Sequence, residues 1–273
     1  KTKAIIAIHP LGNPVDMPNL MKLVRLCNKP RGEKNKIWVI EDACDAWGTT
    51  ISGKKVGSFG DISITSFHAA HIVSMGIGGG VFTNNKLLSQ RVRMYRDWGR
   101  QADINKSENK KHKRLPQDYN PRFIYEKIGY NFQILELQAA MARVQLRKIN
   151  QIKKARKKNF DYLYKHLSKY PLQLPLWLEN ADVCWFAFPI SYDGNRGKLL
   201  RHLEKNGIET RPLFSGNITR HPAYSFGDFR IFVPRKLDQA DYITEHSFWI
   251  SCHPSLTKSD LKYIIKTFNE FFK

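Results

Sequence analysis

The chain has 273 residues, 42% hydrophobic and 12% aromatic, with 45 Lys+Arg against 24 Asp+Glu and a formal net charge of +21. That supply of apolar side chains can fill a core, which excludes a mainly disordered basic tail, and no apolar stretch reaches the roughly 18 to 20 residues of a membrane span. Four cysteines (Cys27, Cys44, Cys184, Cys252) without C-x-x-C spacing exclude a disulfide scaffold or zinc ribbon and fit a cytoplasmic setting.

The chain runs at once into the apolar stretch Ala4-Ile5-Ile6-Ala7-Ile8, with neither an initiating Met nor a signal peptide. A domain seldom starts on a buried strand, so further sequence is expected upstream. Helical spacing over residues 20–27 precedes strand-like runs at 37–40, 62–67 and 81–83, with a Gly-rich loop at 76–80 and a helix at 86–98. Strands separated by helices and turns predict an α/β layer with a largely buried sheet.

Residues 100–122 read as a polar, basic loop containing Lys106, Lys110, Lys111, Lys113 and Arg114. Residues 134–170 carry apolar positions at helical period and predict one long helix bridging two lobes. Beyond Pro171 a smaller α/β unit is expected. It comprises strands at 185–191 and 209–213, a helix at 198–206 closed by Gly207, and a final helix at 259–272 with Ser259 as its N-cap. The expected domains are therefore 1–133, the bridging helix 134–170, and 171–273.

A charge of +21 raises the prospect of nucleic-acid binding. The excess sits mostly in the 100–122 loop and on the long helix, and no zinc-finger spacing, RNP motif or helix-turn-helix accompanies it. It reads as a solvated face, with no nucleic-acid partner and no membrane expected.

Four clusters carry chemistry: Glu41-Asp42-Ala43-Cys44-Asp45-Ala46-Trp47-Gly48, Gly57-Ser58-Phe59-Gly60-Asp61, Ser66-Phe67-His68-Ala69-Ala70-His71, and Gly76-Ile77-Gly78-Gly79-Gly80. An acid ending a hydrophobic strand stands where α/β enzymes place ligand groups. A buried carboxylate needs a partner, and a protonated pyridine nitrogen is one such partner.

These residues resemble the nucleotide-sugar aminotransferase family of pyridoxal-phosphate fold type I. That family shows an ED-x-x-x-A-x-G strand end, a G-S-F-G-D turn and an S-F-x-x-x-K segment before a Gly-rich turn. Here His71 stands at the Schiff-base lysine position, as in the subgroup of nucleotide-linked 4-keto-6-deoxyhexose 3-dehydratases. Arg96-Asp97-Trp98-Gly99-Arg100, Gly129-Tyr130-Asn131, Gln138-Ala139-Ala140, the 214–220 segment and Phe248-Trp249-Ile250 extend the resemblance in order along the chain.

The resemblance implies a fold-type-I α/β protein made of the second half of a large domain plus a small C-terminal domain, without the family's N-terminal part. It implies pyridoxal or pyridoxamine 5′-phosphate as cofactor and C3 dehydration of a 4-keto-6-deoxy nucleotide sugar in lipopolysaccharide or deoxysugar biosynthesis. Imidazole cannot hold the cofactor covalently but suits proton transfer, so His71 becomes the acid/base. Asp42 would meet the pyridine nitrogen, Asp45 the ring near its O3′ side, and Ser66 the cofactor phosphate. Asn131 would reach that phosphate from a neighbouring subunit of a homodimer. Arg211 and Arg220 would meet the substrate diphosphate. His68 reads as a packing residue, and His9 receives no chemical role.

The family's upstream segment, with its Ser- or Thr-containing phosphate loop and the aromatic residue that stacks on the cofactor ring, is expected to be absent, and two further departures stand out. The family's Gly-Glu-Gly-Gly turn reads Gly76-Ile77-Gly78-Gly79. Of the cysteines that bind iron and sulfur in one branch of the dehydratases only Cys44 is present, and a [2Fe–2S] cluster needs four ligands, so none is expected. Glutamate then becomes the expected amino donor that restores the amine form. The alternatives are an ordinary nucleotide-sugar aminotransferase, or a catalytically incomplete fragment acting as a binding subunit. No metal site is expected.

Overall fold

The structure, a computed structural model, describes residues 2–100, 114–116, 118–225 and 236–273. Lys106, Lys110, Lys111 and Lys113 of the expected basic loop lie outside them. The chain forms two compact units. The first comprises Lys1–His9, Val15–Trp47 and Lys54–Lys148, and the second Pro10–Pro14, Gly48–Gly53 and Ile149–Lys273.

In the first unit the apolar runs form strands β1 (Ala4–Ile8), β2 (Trp38–Asp42) and β3 (Ile62–Ser66), which pair in parallel. Strand β4 (Gly79–Phe82) adds antiparallel to β3, giving the order β1-β2-β3-β4. Ile8 pairs with Asp42 and Asp42 with Ile64, so the carboxyl ends of the three parallel strands share one edge of the sheet. Helix α1 (Met17–Asn28) crosses from β1 to β2. It starts earlier than its apolar spacing suggests because Asp16 caps it, accepting from the Asn19 N–H at 3.1 Å, and Pro18 fits the first turn. Helix α2 (Lys86–Arg96) is capped in the same way by Asn85.

Alternation along β2 sends Val39 and Glu41 to the buried face, both fully buried, while Ile40 and Asp42 remain part-exposed on the other. A carboxylate so placed must be satisfied from within. Glu41 Oε1 accepts from the N–H groups of Phe59 and Gly60 at 2.6 Å each, and Oε2 from the Gly57 N–H at 2.8 Å. The ring Nε2 of His9 lies 3.3 Å from Oε2. Burial alone would raise the Glu41 pKa. The bonds from His9 and from the Gly60, Gly57 and Phe59 amides outweigh it and hold the carboxyl below its ordinary value. The turn must pass close to β2: a Cβ on Gly60 would lie 2.8 Å from the Val39 carbonyl oxygen.

The second unit packs helices α4 (Ile149–Leu167), α5 (Arg196–Lys205) and α7 (Lys258–Phe271) with an antiparallel sheet. That sheet is ordered β5 (Ala187–Ser191), β7 (Ser247–Ser251), β6 (Arg211–Pro212), with helix α6 (Asp238–His246) leading into β7. Phe160, Leu163 and Leu167 of α4 share one core with Phe188, Ile190, Leu199, Leu203, Phe248, Ile250 and Phe268. Phe160 stacks on Trp185 with ring centroids 3.9 Å apart.

Two expectations are corrected. The single helix over 134–170 is two, α3 (Glu136–Arg147) and α4. Lys148 closes α3, its N–H shared between the carbonyls of Gln145 and Leu146. The N-cap of α7 is Thr257 rather than Ser259. Thr257 and Asp260 form a reciprocal capping box, with Asp260 Oδ2 accepting from the Thr257 N–H at 2.8 Å.

Two stability measurements check this description. Phe160→Ala should lower unfolding free energy by about 3 to 5 kcal/mol in urea denaturation, the cost of a cavity at a closed core position. Glu41 has a depressed folded pKa, so its stabilisation is full above the ordinary Glu value of about 4.3 and is lost as pH falls through the folded value. Glu41→Gln, which replaces charge-assisted hydrogen bonds with neutral ones, should therefore cost roughly 1.5 to 3 kcal/mol at pH 7, with mutant and wild type converging in acid.

Candidate active site

The shared strand edge gathers four of the residues singled out in the sequence. Asp42 ends β2; its backbone carbonyl accepts from the His9 N–H at 3.0 Å, and its Oδ1 accepts from the Cys44 N–H at 3.1 Å. The Asx-type bond turns the chain sharply out of the strand. Ala43 then reaches across to the Ile64 carbonyl at 2.9 Å, and Trp47 Nε1 donates to Thr65 Oγ1 at 2.6 Å. Residues 43–47, Asp45 among them, are thereby tied to β3.

Ser66 ends β3, and its hydroxyl oxygen accepts from the His68 N–H at 3.2 Å. The loop that follows is closed at its base, where Phe67 donates to the Gly78 carbonyl and Met75 to the Phe67 carbonyl, both at 2.9 Å. Ile72, Val73 and Met75 are buried, which anchors the segment immediately after His71. Gly79 passes β3 so closely that a Cβ there would lie 2.7 Å from the Thr65 carbonyl oxygen.

His71 Nε2 comes to 3.5 Å from Asp45 Oδ1, with a fifth of the imidazole exposed and a tenth of the carboxylate. The His68 ring stands edge-on to His71 at 6.0 Å between centroids, and its Nδ1 accepts from the Ala70 N–H. Cys44 lies between the two acids. Burial, then its bond to Asp42 and the Asp42 and Asp45 charges, push its thiol up to about 12, so it stays protonated at neutral pH. A carboxylate at a strand end, a second carboxylate against an imidazole, and a hydroxyl on the neighbouring strand suit a cationic ring nitrogen, proton transfer and an anionic group respectively.

Asn131 belongs to the same unit, exposed, in a β-bridge with Asp97. Arg211 and Arg220 belong to the second unit. Arg211 pairs with Glu209, and Arg220 donates to Asp241 at 3.2 Å and Glu245 at 2.9 Å. Ile77, in place of the family's acid, is 74% exposed and offers its carbonyl to Gln138 Nε2 at 2.8 Å. Glu41 and His9 were not singled out for chemistry. The sign that marks them is an acid at a buried strand position facing a Gly-x-x-Gly turn.

The chain matches the DegT/DnrJ/EryC1/StrS aminotransferase family over residues 1–269. It is 37% identical to lipopolysaccharide biosynthesis protein RfbH of Salmonella typhimurium, covering 100% of this chain and 63% of that protein. With the dTDP-4-dehydro-2,6-dideoxy-D-glucose 3-dehydratase of Saccharopolyspora spinosa it shares 34% identity over 99% of this chain and 59% of that protein. It thus spans less than two thirds of the length of either relative. Its fold matches a structure of E. coli GDP-4-keto-6-deoxy-D-mannose-3-dehydratase with bound hydrated PLP, at TM-score 0.83 and 24% identity, covering 97% of this chain and 67% of that one. The strand-end acids, the histidine loop and the match along the chain agree: this protein belongs to the DegT/DnrJ/EryC1/StrS aminotransferase family.

Proposed function

We propose that this chain serves a pyridoxal-phosphate-dependent C3 dehydration of a nucleotide-linked 4-keto-6-deoxyhexose in lipopolysaccharide or deoxysugar biosynthesis. The observation that carries the reading is His71, in the position of the family's cofactor-linking lysine and held beside Asp45 at the strand edge that presents Asp42. The names of the two relatives, a lipopolysaccharide biosynthesis protein and a 3-dehydratase, point the same way.

The residues present fit the cofactor. Asp42, part-exposed at the strand end, would hold the protonated pyridine nitrogen, and the Ser66 hydroxyl would donate to the phosphate. Bound as pyridoxamine phosphate, the cofactor supplies an amine that condenses with the sugar's C4 ketone and a ring that accepts electrons. His71 would take the proton from carbon and deliver it to the departing C3 hydroxyl. Asp45 orients the imidazole and faces the proton it carries. Glutamate would act as amino donor.

We also propose a homodimer in which Asn131 serves the partner's site. Leu137 and Met141, one turn apart on α3, are 76% and 53% exposed, and Ile128 is 96% exposed; exposed apolar side chains of this kind mark association surfaces. Leu137→Glu should shift sedimentation from dimer toward monomer; a wild-type chain that sediments as a monomer at all concentrations contradicts the proposal.

Supplied with pyridoxal phosphate, glutamate and a 4-keto-6-deoxy nucleotide sugar, the protein should release a product lacking the C3 hydroxyl, with no borohydride-fixed lysine adduct. His71→Asn should slow this by about 10²- to 10⁴-fold, and His71→Lys should create a borohydride-trappable adduct and favour amination at C4. Wild-type protein that aminates C4 without losing the C3 hydroxyl supports the aminotransferase alternative, and failure to bind the cofactor overturns the reading.

A further inference from the structure

The groups around Glu41 define both its charge and that of His9. The Val15 N–H donates to His9 Nδ1 at 3.1 Å, so this nitrogen is an acceptor and carries no proton. The ring proton then resides on Nε2, 3.3 Å from Glu41 Oε2, where it is donated to the carboxylate. Both side chains are fully buried. Among the described residues Glu41 is thus bonded by four donors, three backbone amides and one neutral imidazole, and no Lys or Arg is among its bonded partners there. Four donors match the four lone-pair sites of a carboxylate, so the side chain is satisfied as an anion without being neutralised. Ser63 and Thr65, on the buried face of β3, are uncharged. The other acid on the same stretch of β2 is Asp42, the next residue, on the opposite face of the strand.

We propose that Glu41 is a second, buried anion for the Asp42 site, kept ionised by a neutral His9, and that its field adds to that of Asp42 in holding a bound pyridine nitrogen protonated. Glu41 is a positioning and electrostatic residue, since it acts through the strand and through space rather than by touching the cofactor. His9 has two tasks. Its backbone N–H fixes the Asp42 carbonyl at 3.0 Å, and its ring solvates the Glu41 charge. An imidazolium at this position would cancel the charge that Glu41 contributes, and the Val15 N–H, by occupying Nδ1, selects against it. The proposal rests on the reading of Asp42 as the partner of the pyridine nitrogen.

Two measurements test it. The first needs no cofactor: ¹⁵N NMR of histidine-labelled protein at pH 7.5 should show His9 neutral with its proton on Nε2. A His9 imidazolium there makes the buried pair neutral and overturns the proposal, whatever any variant does. The second follows the pyridine nitrogen of ¹⁵N-labelled pyridoxal phosphate bound to the wild-type, Glu41→Gln, His9→Gln and Asp42→Asn proteins.

Wild type should hold the ring nitrogen protonated at pH 7.5. Glu41→Gln, checked for unchanged circular dichroism, should lose that proton about one pH unit lower, the loss of one nearby negative charge. Its cofactor affinity should fall by roughly tenfold. His9→Gln, which keeps a neutral donor toward Glu41, should remain near wild type. If folded Glu41→Gln titrates as wild type does while Asp42→Asn loses the proton, Glu41 is structural only and the proposal fails. If Asp42→Asn itself changes neither titration nor affinity, it is the reading of Asp42 that fails.

Discussion

One buried carboxylate organises the first unit. Glu41 has no solvent to stabilise it, so the 57–60 turn brings three backbone amides to it and the end of β1 brings a ring N–H. Those bonds join three pieces of chain that sequence separates by up to 19 residues on one side and 32 on the other. Placing Glu41 inward sets the register of β2, since adjacent strand residues face opposite ways. Asp42 is turned outward by the same step, at the edge where β1, β2 and β3 all end.

The second constraint is the loop after β3. Its base is pinned by backbone bonds at Phe67 and Met75, and buried Ile72, Val73 and Met75 fix the segment that follows His71. The parallel pairing of β2 with β3 therefore brings an acid and an imidazole to one edge from two separate loops. The Trp47 to Thr65 hydrogen bond adds Asp45 to the same edge. The site is a product of strand pairing, and its chemistry follows from which residue types stand at the strand ends. Imidazole suits proton transfer and, unlike a primary amine, offers no Schiff-base anchor, which is the chemistry proposed for this edge.

Much of this was legible in the sequence. The apolar runs located the four strands of the β1–β4 sheet within a few residues, and the strand-end position of Asp42 followed from Ile37 to Ile40 preceding it. His71 was legible through the motif around it. The role of Glu41 was not, because two adjacent acids look alike in sequence and only the turn that wraps one of them tells which is buried. The break at Lys148 escaped because the apolar period runs on through it, so nothing local marked the end of α3. Thr257 and Ser259 can both cap a helix; the reciprocal bond with Asp260 decides for Thr257. The partners of Arg220 come from α6, more than 20 residues away, and spacing gives no hint of them.

The large positive charge gains little meaning from the fold. Part of it is absorbed locally: Lys153 pairs with Asp182, Lys157 with Asp161, and Arg156 is buried against the carbonyls of Trp185 and Phe186. The candidate site lies on one edge of one sheet, and a crystal structure of the chain grown with pyridoxal 5′-phosphate addresses that edge directly. It should show the pyridine nitrogen about 2.7 to 3.2 Å from an Asp42 carboxylate oxygen, the phosphate at the Ser66 hydroxyl, and no covalent bond to any lysine. A ring bound away from Asp42, or joined to a lysine, would contradict the proposed function.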